Sequence, residues 1–492
     1  MPRRKAFTKT SRTPDMTEGP IFTKILVFII PLIITNLLQV LYNSADMVIV
    51  SLSSEGDAVG AIGMTGPFIN LVVNIFIGFA TGATVVVARH IGASDEENTS
   101  RSTHTALSMG LIFGAVSIAV GLLISRPVLS LMGAEGKLLE LATRYTVIYF
   151  AGAPFLAATN YLIAIFRAKG DTRTPLFILS LSGIVNVLLN LFFVLAVHLS
   201  VEGVAIATAI ANAVSAVCLA WKLSHADDAC RLSLRKLRID KRAFRDILYI
   251  GLPAGIQGSL FSISNMTIQS SILSVNNAIC PPGAAFAPVV RGSSAMGNLE
   301  GFTYTAQNAV AQAAVTFTSQ HMGAKKYKRI YRVMGNCYLL GILVAVLVTG
   351  VIYIGIDPLL ALYNVTDAAK GTLEHIAYES AMLRFMLVNA LYFIIPLMEI
   401  GSFVVRGLGK SISSTVITLV GACVFRLIWI STAFRFVFEA TKNTEPMKAL
   451  ATVFLSFPIS WLLTGVVFLI YALYVLKKYI KQDQKASLLA EI

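Results

Sequence analysis

Twelve stretches of mainly apolar residues, each about 20 or more long and set between charged connectors, leave this chain few ways to fold. Inside hydrocarbon every backbone N–H and C=O must find its partner within the protein, so stretches of this length become membrane-spanning helices. They run approximately over residues 24–50, 59–88, 104–124, 139–166, 175–197, 203–221, 247–275, 298–320, 333–356, 377–405, 412–434 and 450–475. Composition gives the same answer: 56% hydrophobic residues, 13% charged and a mean hydropathy of +0.73 leave too little polar surface for a soluble protein of 492 residues. The expected fold class is therefore an all-α integral membrane protein.

The net charge of +14 is first a signal of topology. Of the 40 lysines and arginines, 30 fall in the tails and alternate connectors that share one side of the membrane. Basic connectors stay in the cytoplasm, so both termini are expected there, in a bacterial cell membrane. The basic run 231–245 is then an ordinary flank of membrane spans, and no nucleic-acid partner is expected. No short apolar run with a small-residue cleavage site follows the polar first residues, which argues against a cleaved signal peptide. Five scattered cysteines, with no CxxC or Cys/His spacing, imply neither a disulfide framework nor a metal site.

The chain is also written twice. Pro31, His90-Ile91-Gly92-Ala93 and Arg167-Ala168-Lys169-Gly170-Asp171-Thr172 recur as Pro253, His321-Met322-Gly323-Ala324 and Arg406-Gly407-Leu408-Gly409-Lys410-Ser411, at offsets of 222, 231 and 239 residues. Six helices per copy is an even number, so both copies enter the membrane in the same direction, as in parallel-repeat transporters. The expected organisation is a tail (1–23), a six-helix lobe (24–223), a basic cytoplasmic linker (224–246), a second six-helix lobe (247–476) and a tail (477–492). The stretch 276–297, with Pro281-Pro282-Gly283, reads as the longest outer loop. Pro31 and Pro253 sit at equivalent places; they either only shape packing or serve as hinges around a cavity between the lobes.

A carboxylate inside a bilayer costs a few kcal/mol, which marks Asp46 and Glu399 for attention. Asp46 has Ile268 opposite it in the second copy, so a coupling site would be confined to one lobe. Asn186 and Asn190, four apart on one helical face, and Thr208 can supply oxygens to the same place. One carboxylate with amide and hydroxyl oxygens holds a sodium ion, or a proton once burial disfavours its charge. The plainer alternatives are a helix-end acid at Asp46 and interhelical hydrogen bonds at the asparagines. Glu399 and Arg426 either pair structurally or leave Glu399 free as a second ion-linked group, although helix rise separates their depths by roughly 12 Å. Candidate cleft-lining side chains are Tyr42, Asn43, Phe68, Tyr161, Asn265, Gln269 and Phe302.

No GxSxG, P-loop, HExxH or metal cluster appears, so an enzyme is not expected, and no connector is long enough for a nucleotide domain. Transport would then be driven by an ion gradient or by the substrate itself, with no cofactor beyond H+ or Na+ as coupling ion.

Tyr42-Asn43 followed by Asp46, the Gly92-Ala93 and Gly323-Ala324 pairs, Ala205-Ile206-Ala207-Thr208 and the Arg406–Ser411 motif, within the doubled layout, resemble the multidrug and toxic-compound extrusion (MATE) family from about Gly19 to Lys478. The resemblance implies two six-helix lobes around a cleft that opens alternately to either side. It also implies export of amphipathic organic cations against sodium ions or protons, and it carries the family's N-lobe cation site onto Asp46, Asn186, Asn190 and Thr208. Relatives with the best-defined site tend to have an aspartate where this chain has Asn190, and the acidic site of another branch has no match in the seventh span around Phe261. The protein is expected to act as a monomer on a small-molecule organic cation, within a lipid bilayer. A lipid-linked sugar flippase of the wider superfamily, and a non-transporting membrane receptor or scaffold, are the rival readings.

Overall fold

The computed structural model describes residues 16–51, 58–280 and 286–491. Its twelve long helical stretches are α1 (Ile21–Ser51), α2 (Ala58–Gly92), α3 (Glu96–Leu131), α4 (Gly136–Ala151 and Ala153–Ala168), α5 (Arg173–Ala196), α6 (Val201–Ser224), α7 (Lys241–Ile279), α8 (Pro288–Gly323), α9 (Tyr327–Ile354), α10 (Leu373–Gly407), α11 (Ser411–Thr441) and α12 (Pro446–Glu491). Ten of these are individually long and apolar enough to cross a membrane. The two pieces of α4 qualify only together, bent by 50° where Gly152 separates them. The remaining stretch, α8, has the length, with 36 residues, but carries a polar series that includes Thr303, Gln307, Gln312 and Gln320. All four of those side chains are largely out of solvent, so α8 is kept polar by its neighbours within the protein.

The described residues form two compact units, one running up to Leu252 and including Ser319–Lys326, the other comprising Pro253–Thr318 and the chain from Tyr327 onward. The division cuts α7 immediately before Pro253, so the proline that repeats Pro31 stands at a boundary in the middle of a continuous helix.

In the first unit small residues let helices approach closely, as membrane packing favours when burial from water supplies no drive between them. On α3, a side chain at Gly110 would run into the Tyr161 ring, one at Gly114 into the Pro154 backbone and one at Gly121 into Phe150, so three glycines form the seam with α4.

The repeated sequence motifs are helix stops. Gly170 (φ +87°) and Gly409 (φ +80°) take the left-handed conformation that closes a helix, and in each copy the amide after the glycine reaches back to a carbonyl five residues earlier: Asp171 to Phe166 at 2.9 Å, Lys410 to Val405 at 3.0 Å. Ser94 and Lys325, φ 55° and 54°, do the same after the His-x-Gly-Ala motifs, with Asp95 bonded to His90 and Lys326 to His321. The glycines just before these stops serve contact. A Cβ at Gly92 would stand 2.0 Å from the Gln320 carbonyl oxygen, and one at Gly323 would stand 1.9 Å from that of Arg89. The ends of α2 and α8 therefore cross reciprocally, each motif against its own duplicate, within the first unit.

The stretches between and beyond the spans carry structure of their own. The stretch 224–246 is a folded segment: it contains one 3-10 turn (Leu234–Lys236), buries Cys230 and Leu232, and α7 already begins at Lys241. The tail 477–492 continues α12 as helix through Glu491. Within the stretch 276–297, α7 extends to Ile279 and α8 starts at Pro288, so the connector is shorter than those limits. Pro281-Pro282-Gly283 lies outside the described residues, as do residues 1–15.

Candidate functional site

The site is assembled from α1, α5 and α6. Asn186 and Asn190 project from one face of α5, and the helix relaxes into a π turn (Phe192–Ala196) directly afterwards. Asn190 donates from Nδ2 to Asp46 Oδ1 at 2.5 Å and to Asn186 Oδ1 at 3.4 Å, and Asn186 Nδ2 donates to Thr208 Oγ1 at 3.4 Å. Asn212 Nδ2 fixes the next position by donating to the Thr208 carbonyl at 3.0 Å. Asp46, Asn186, Asn190 and Thr208, which the sequence places on three helices, are thus one connected chain of hydrogen bonds. Asn190 is fully buried, and its Oδ1 has no hydrogen-bond partner among the described residues. A buried, unsatisfied oxygen beside a carboxylate is a place with spare capacity for a proton donor or a cation.

Packing around this chain shows groups that sequence reasoning passed over. The Tyr42 ring, one helical turn before Asp46, lies flat against Gly183 of α5: a Cβ there would be 1.9 Å from Tyr42 Cε2. The Tyr42 hydroxyl donates to the Ser180 carbonyl at 3.3 Å. Gly183 is therefore the bare spot on α5 that lets α1 come close. Tyr145 and Tyr149 of α4 are within electrostatic reach of Asp46, and an aromatic series runs from them through Phe150 to Phe68, the last pair edge-to-face at 5.4 Å. Among the other proposed lining residues, Asn265 and Gln269 are exposed and Phe302 is half-buried. Tyr161 is wholly buried against Gly110 in the α3–α4 seam, so it packs the unit's interior and does not line an opening. The Asn43 side chain lies outside the described residues.

The second unit holds more buried charge than the sequence suggested. Glu399 is 9% exposed and accepts from the Tyr304 hydroxyl at 3.3 Å, with Arg406 within electrostatic reach. It does not pair with Arg426 among the described residues. Arg426 instead donates from Nε to Ser460 Oγ at 3.0 Å and sits 4.4 Å from the Phe457 ring centroid, which is how a guanidinium can be buried without a carboxylate. Arg406 likewise donates to Gln257 Oε1 at 2.6 Å. A well-buried ion pair of this unit is one the sequence did not single out: Arg384 Nη2 to Glu300 Oε2 at 2.8 Å, with Nε donating to the same oxygen at 3.2 Å and Nη1 to Ser293. No cluster of three or more His, Cys, Asp or Glu with metal-holding geometry occurs among the described residues.

The family model MatE matches residues 31–192 and 253–431, once in each copy of the repeat. The chain is 25% identical over 368 residues to the probable multidrug resistance protein YoeA of Bacillus subtilis (strain 168), covering 72% of this chain and 77% of that protein. It is 24% identical over 270 residues to the multidrug export protein MepA of Staphylococcus aureus (strain bovine RF122 / ET3-1), covering 55% of this chain and 60% of MepA. Among solved structures, the outward-facing conformation of a multidrug resistance MATE family transporter of the MOP superfamily superposes with a TM-score of 0.84 at 20% identity, over 96% of this chain and 100% of that one.

Proposed function

Since the chain belongs to the MatE family of multidrug efflux transporters, we propose that it exports amphipathic organic cations in exchange for H+ or Na+, exposing its cargo site alternately to the two sides of the membrane. The observation that supports this reading is the half-buried carboxylate of Asp46, within a membrane-spanning helix of the first unit and tied through Asn190 and Asn186 to Thr208.

The chemistry of such a site is a switch. An ionised Asp46 accepts a hydrogen bond from the Asn190 amide nitrogen. A protonated Asp46 becomes a donor, and Asn190 meets it by presenting Oδ1 after a half-turn of its amide. A sodium ion would use the same oxygens, with Thr208 Oγ1 completing the set. Either event changes the charge that α1 presents to α5 and α6, and Pro31 gives α1 a weak point at which to bend. Ion binding that favours a bent α1 and cargo binding that favours a straight one are coupled reciprocally, and the ion gradient then drives the cargo outward. Glu399, hydrogen-bonded by Tyr304, is the second group we assign to ion linkage. We place the protein in the cell membrane as a monomer with both termini in the cytoplasm, following the positive-inside rule.

The test is efflux of a fluorescent cationic dye from cells producing wild type or Asp46→Asn at matched membrane levels, with the Na+ and proton gradients collapsed in turn. The expected result is loss of export in the variant and dependence of the wild type on one gradient. Export that survives the substitution would move the coupling to Glu399. A lipid-linked sugar flippase would need free cations on its membrane-spanning helices for a pyrophosphate, whereas Arg384, Arg406 and Arg426 on those of the second unit are each buried and hydrogen-bonded. Purified protein that moves lipid-linked sugar and no dye would reverse that preference.

A further inference from the structure

The segment between α6 and α7 is folded onto the first turns of α3 by side chains outside the Asp46 hydrogen-bond chain. His104 is 2% exposed; its Nδ1 meets the Ser100 carbonyl at 2.7 Å, and its Nε2 accepts the Ser233 backbone N–H at 3.0 Å, so the ring proton sits on Nδ1. Thr105, the next residue, accepts from the Asp240 N–H at 3.0 Å. Between these two clamps the chain arches over a basin of about 1010 Å3, far larger than a single small ion needs and of the size of sites for organic ligands.

The charges around the basin are unevenly committed. Of its carboxylates, Glu97 pairs with Arg101 and Asp228 with the buried Lys169. Asp240 accepts the N–H groups of Arg242 and Ala243, each at 3.0 Å. Burial pushes the nearby Cys230 thiol up to about 12, which removes it as a source of negative charge. Glu96 is left without an ion pair among the described residues. Against it stand Arg231, Arg235, Lys236 and Arg238, all exposed and none in an ion pair among the described residues. Arg231 spends only Nε, on the Ser224 carbonyl, so its terminal fork is open.

We propose that this basin binds a phosphate-bearing anion through Arg231, Arg235, Lys236 and Arg238. Guanidinium forks match phosphate oxygens two at a time, and the lysine adds an adaptable point charge. The basin lies where α3 begins and α6 ends, at a membrane boundary, so its ligand comes either from an anionic lipid headgroup or from a soluble phosphate compound. A merely topological role for these residues would need no clamps, because the positive-inside effect depends on charge and not on a fixed fold. The site is separate from the Asp46 chain, and its test reads binding rather than export.

The experiment is native mass spectrometry of the full chain in neutral detergent, titrated separately with short-chain phosphatidylglycerol, short-chain phosphatidylcholine and inorganic pyrophosphate. Wild type should take one saturable phosphatidylglycerol or pyrophosphate adduct, weakened at least tenfold in Arg235→Gln/Lys236→Gln/Arg238→Gln, while phosphatidylcholine shows no such difference. Phosphatidylglycerol that pyrophosphate cannot displace identifies the lipid source; a pyrophosphate adduct that excludes phosphatidylglycerol identifies the soluble one. Glu96→Gln removes the one uncommitted carboxylate and should tighten the adduct, a gain that misfolding cannot imitate. Equal binding by wild type and the triple variant, or no saturable adduct with either phosphate probe, overturns the proposal.

Discussion

Gly183→Ala tests whether the Tyr42–α5 contact sets the geometry at Asp46. A methyl group at Gly183 would lie 1.9 Å from Tyr42 Cε2, 2.2 Å from Cζ and 2.4 Å from Cδ2. Nonbonded carbons settle at about 3.5–4.0 Å, so the ring has to withdraw by roughly 1.5–2 Å. Its hydroxyl bond to Ser180, already 3.3 Å, cannot survive that displacement. Asp46 is one turn further along the same face of α1, and a shift of this size would stretch its 2.5 Å contact with Asn190 beyond the range of a useful hydrogen bond. Losing a hydrogen bond to a charged acceptor is worth about 1.5–3 kcal/mol, or roughly tenfold to a hundredfold in ion affinity. Overpacking alone lowers stability by about 1–3 kcal/mol. The assay is ion-dependent dye efflux in proteoliposomes, with thermal unfolding measured on the same preparations. Gly183→Ala should shift the concentration of coupling ion needed for half-maximal export by at least tenfold, and adding Tyr42→Ala should reverse much of the shift, because the clash then has no partner. A single variant with wild-type ion dependence, or a double variant with no recovery, would refute the idea that this ring holds α1 in place.

Other expectations follow from buried charge and backbone geometry. Glu300→Gln leaves Arg384 buried with its carboxylate partner gone and should lower unfolding stability by about 3–5 kcal/mol, while Glu300→Leu/Arg384→Met should be much milder; urea or thermal titration in detergent compares them. Gly409→Ala forces a Cβ into φ +80° and should cost roughly 1–2 kcal/mol, read as a lowered Tm. Asp95 caps α3 by accepting from the Asn98 side chain at 2.7 Å and its backbone N–H at 3.1 Å, which holds its carboxyl below the usual carboxylate range. A depressed value stabilises the fold above the ordinary range near 4 and loses that contribution as pH falls from there through the lowered folded-state value. Asp95→Ala should therefore melt earlier than wild type at pH 7, by about 1 kcal/mol, and the gap should narrow as pH falls below the ordinary carboxylate range.

Much of this architecture can be read from the sequence because lipid makes hydropathy strict. The helices, the doubled layout and the set Asp46, Asn186, Asn190 and Thr208 follow from span length, motif offsets and i, i+4 spacing. What escapes are relations between helices that have no sequence period. Gly183 looks like any small residue in a span until the Tyr42 ring is seen lying on it. Glu300 and Arg384 are 84 positions apart, so their pairing is invisible in either helix alone. Glu399 and Arg426 have opposite charges on successive spans and look paired, yet a tyrosine satisfies one and a serine with an aromatic face the other. The stretch 224–246 looks like a linker by charge, because charge does not reveal that His104 and Thr105 hold its backbone.

The reciprocal crossing of Gly92 and Gly323 bears on how such a chain could have arisen. When a motif packs against its own duplicate, the patch is self-complementary, which is the defining property of a twofold contact between identical subunits. An unfused six-helix protein carrying one His-x-Gly-Ala stop would already possess both halves of this contact and could dimerise through it. Fusion would then have preserved an existing association, and it would have freed one copy to keep an acid at position 46 while the other carries Ile268.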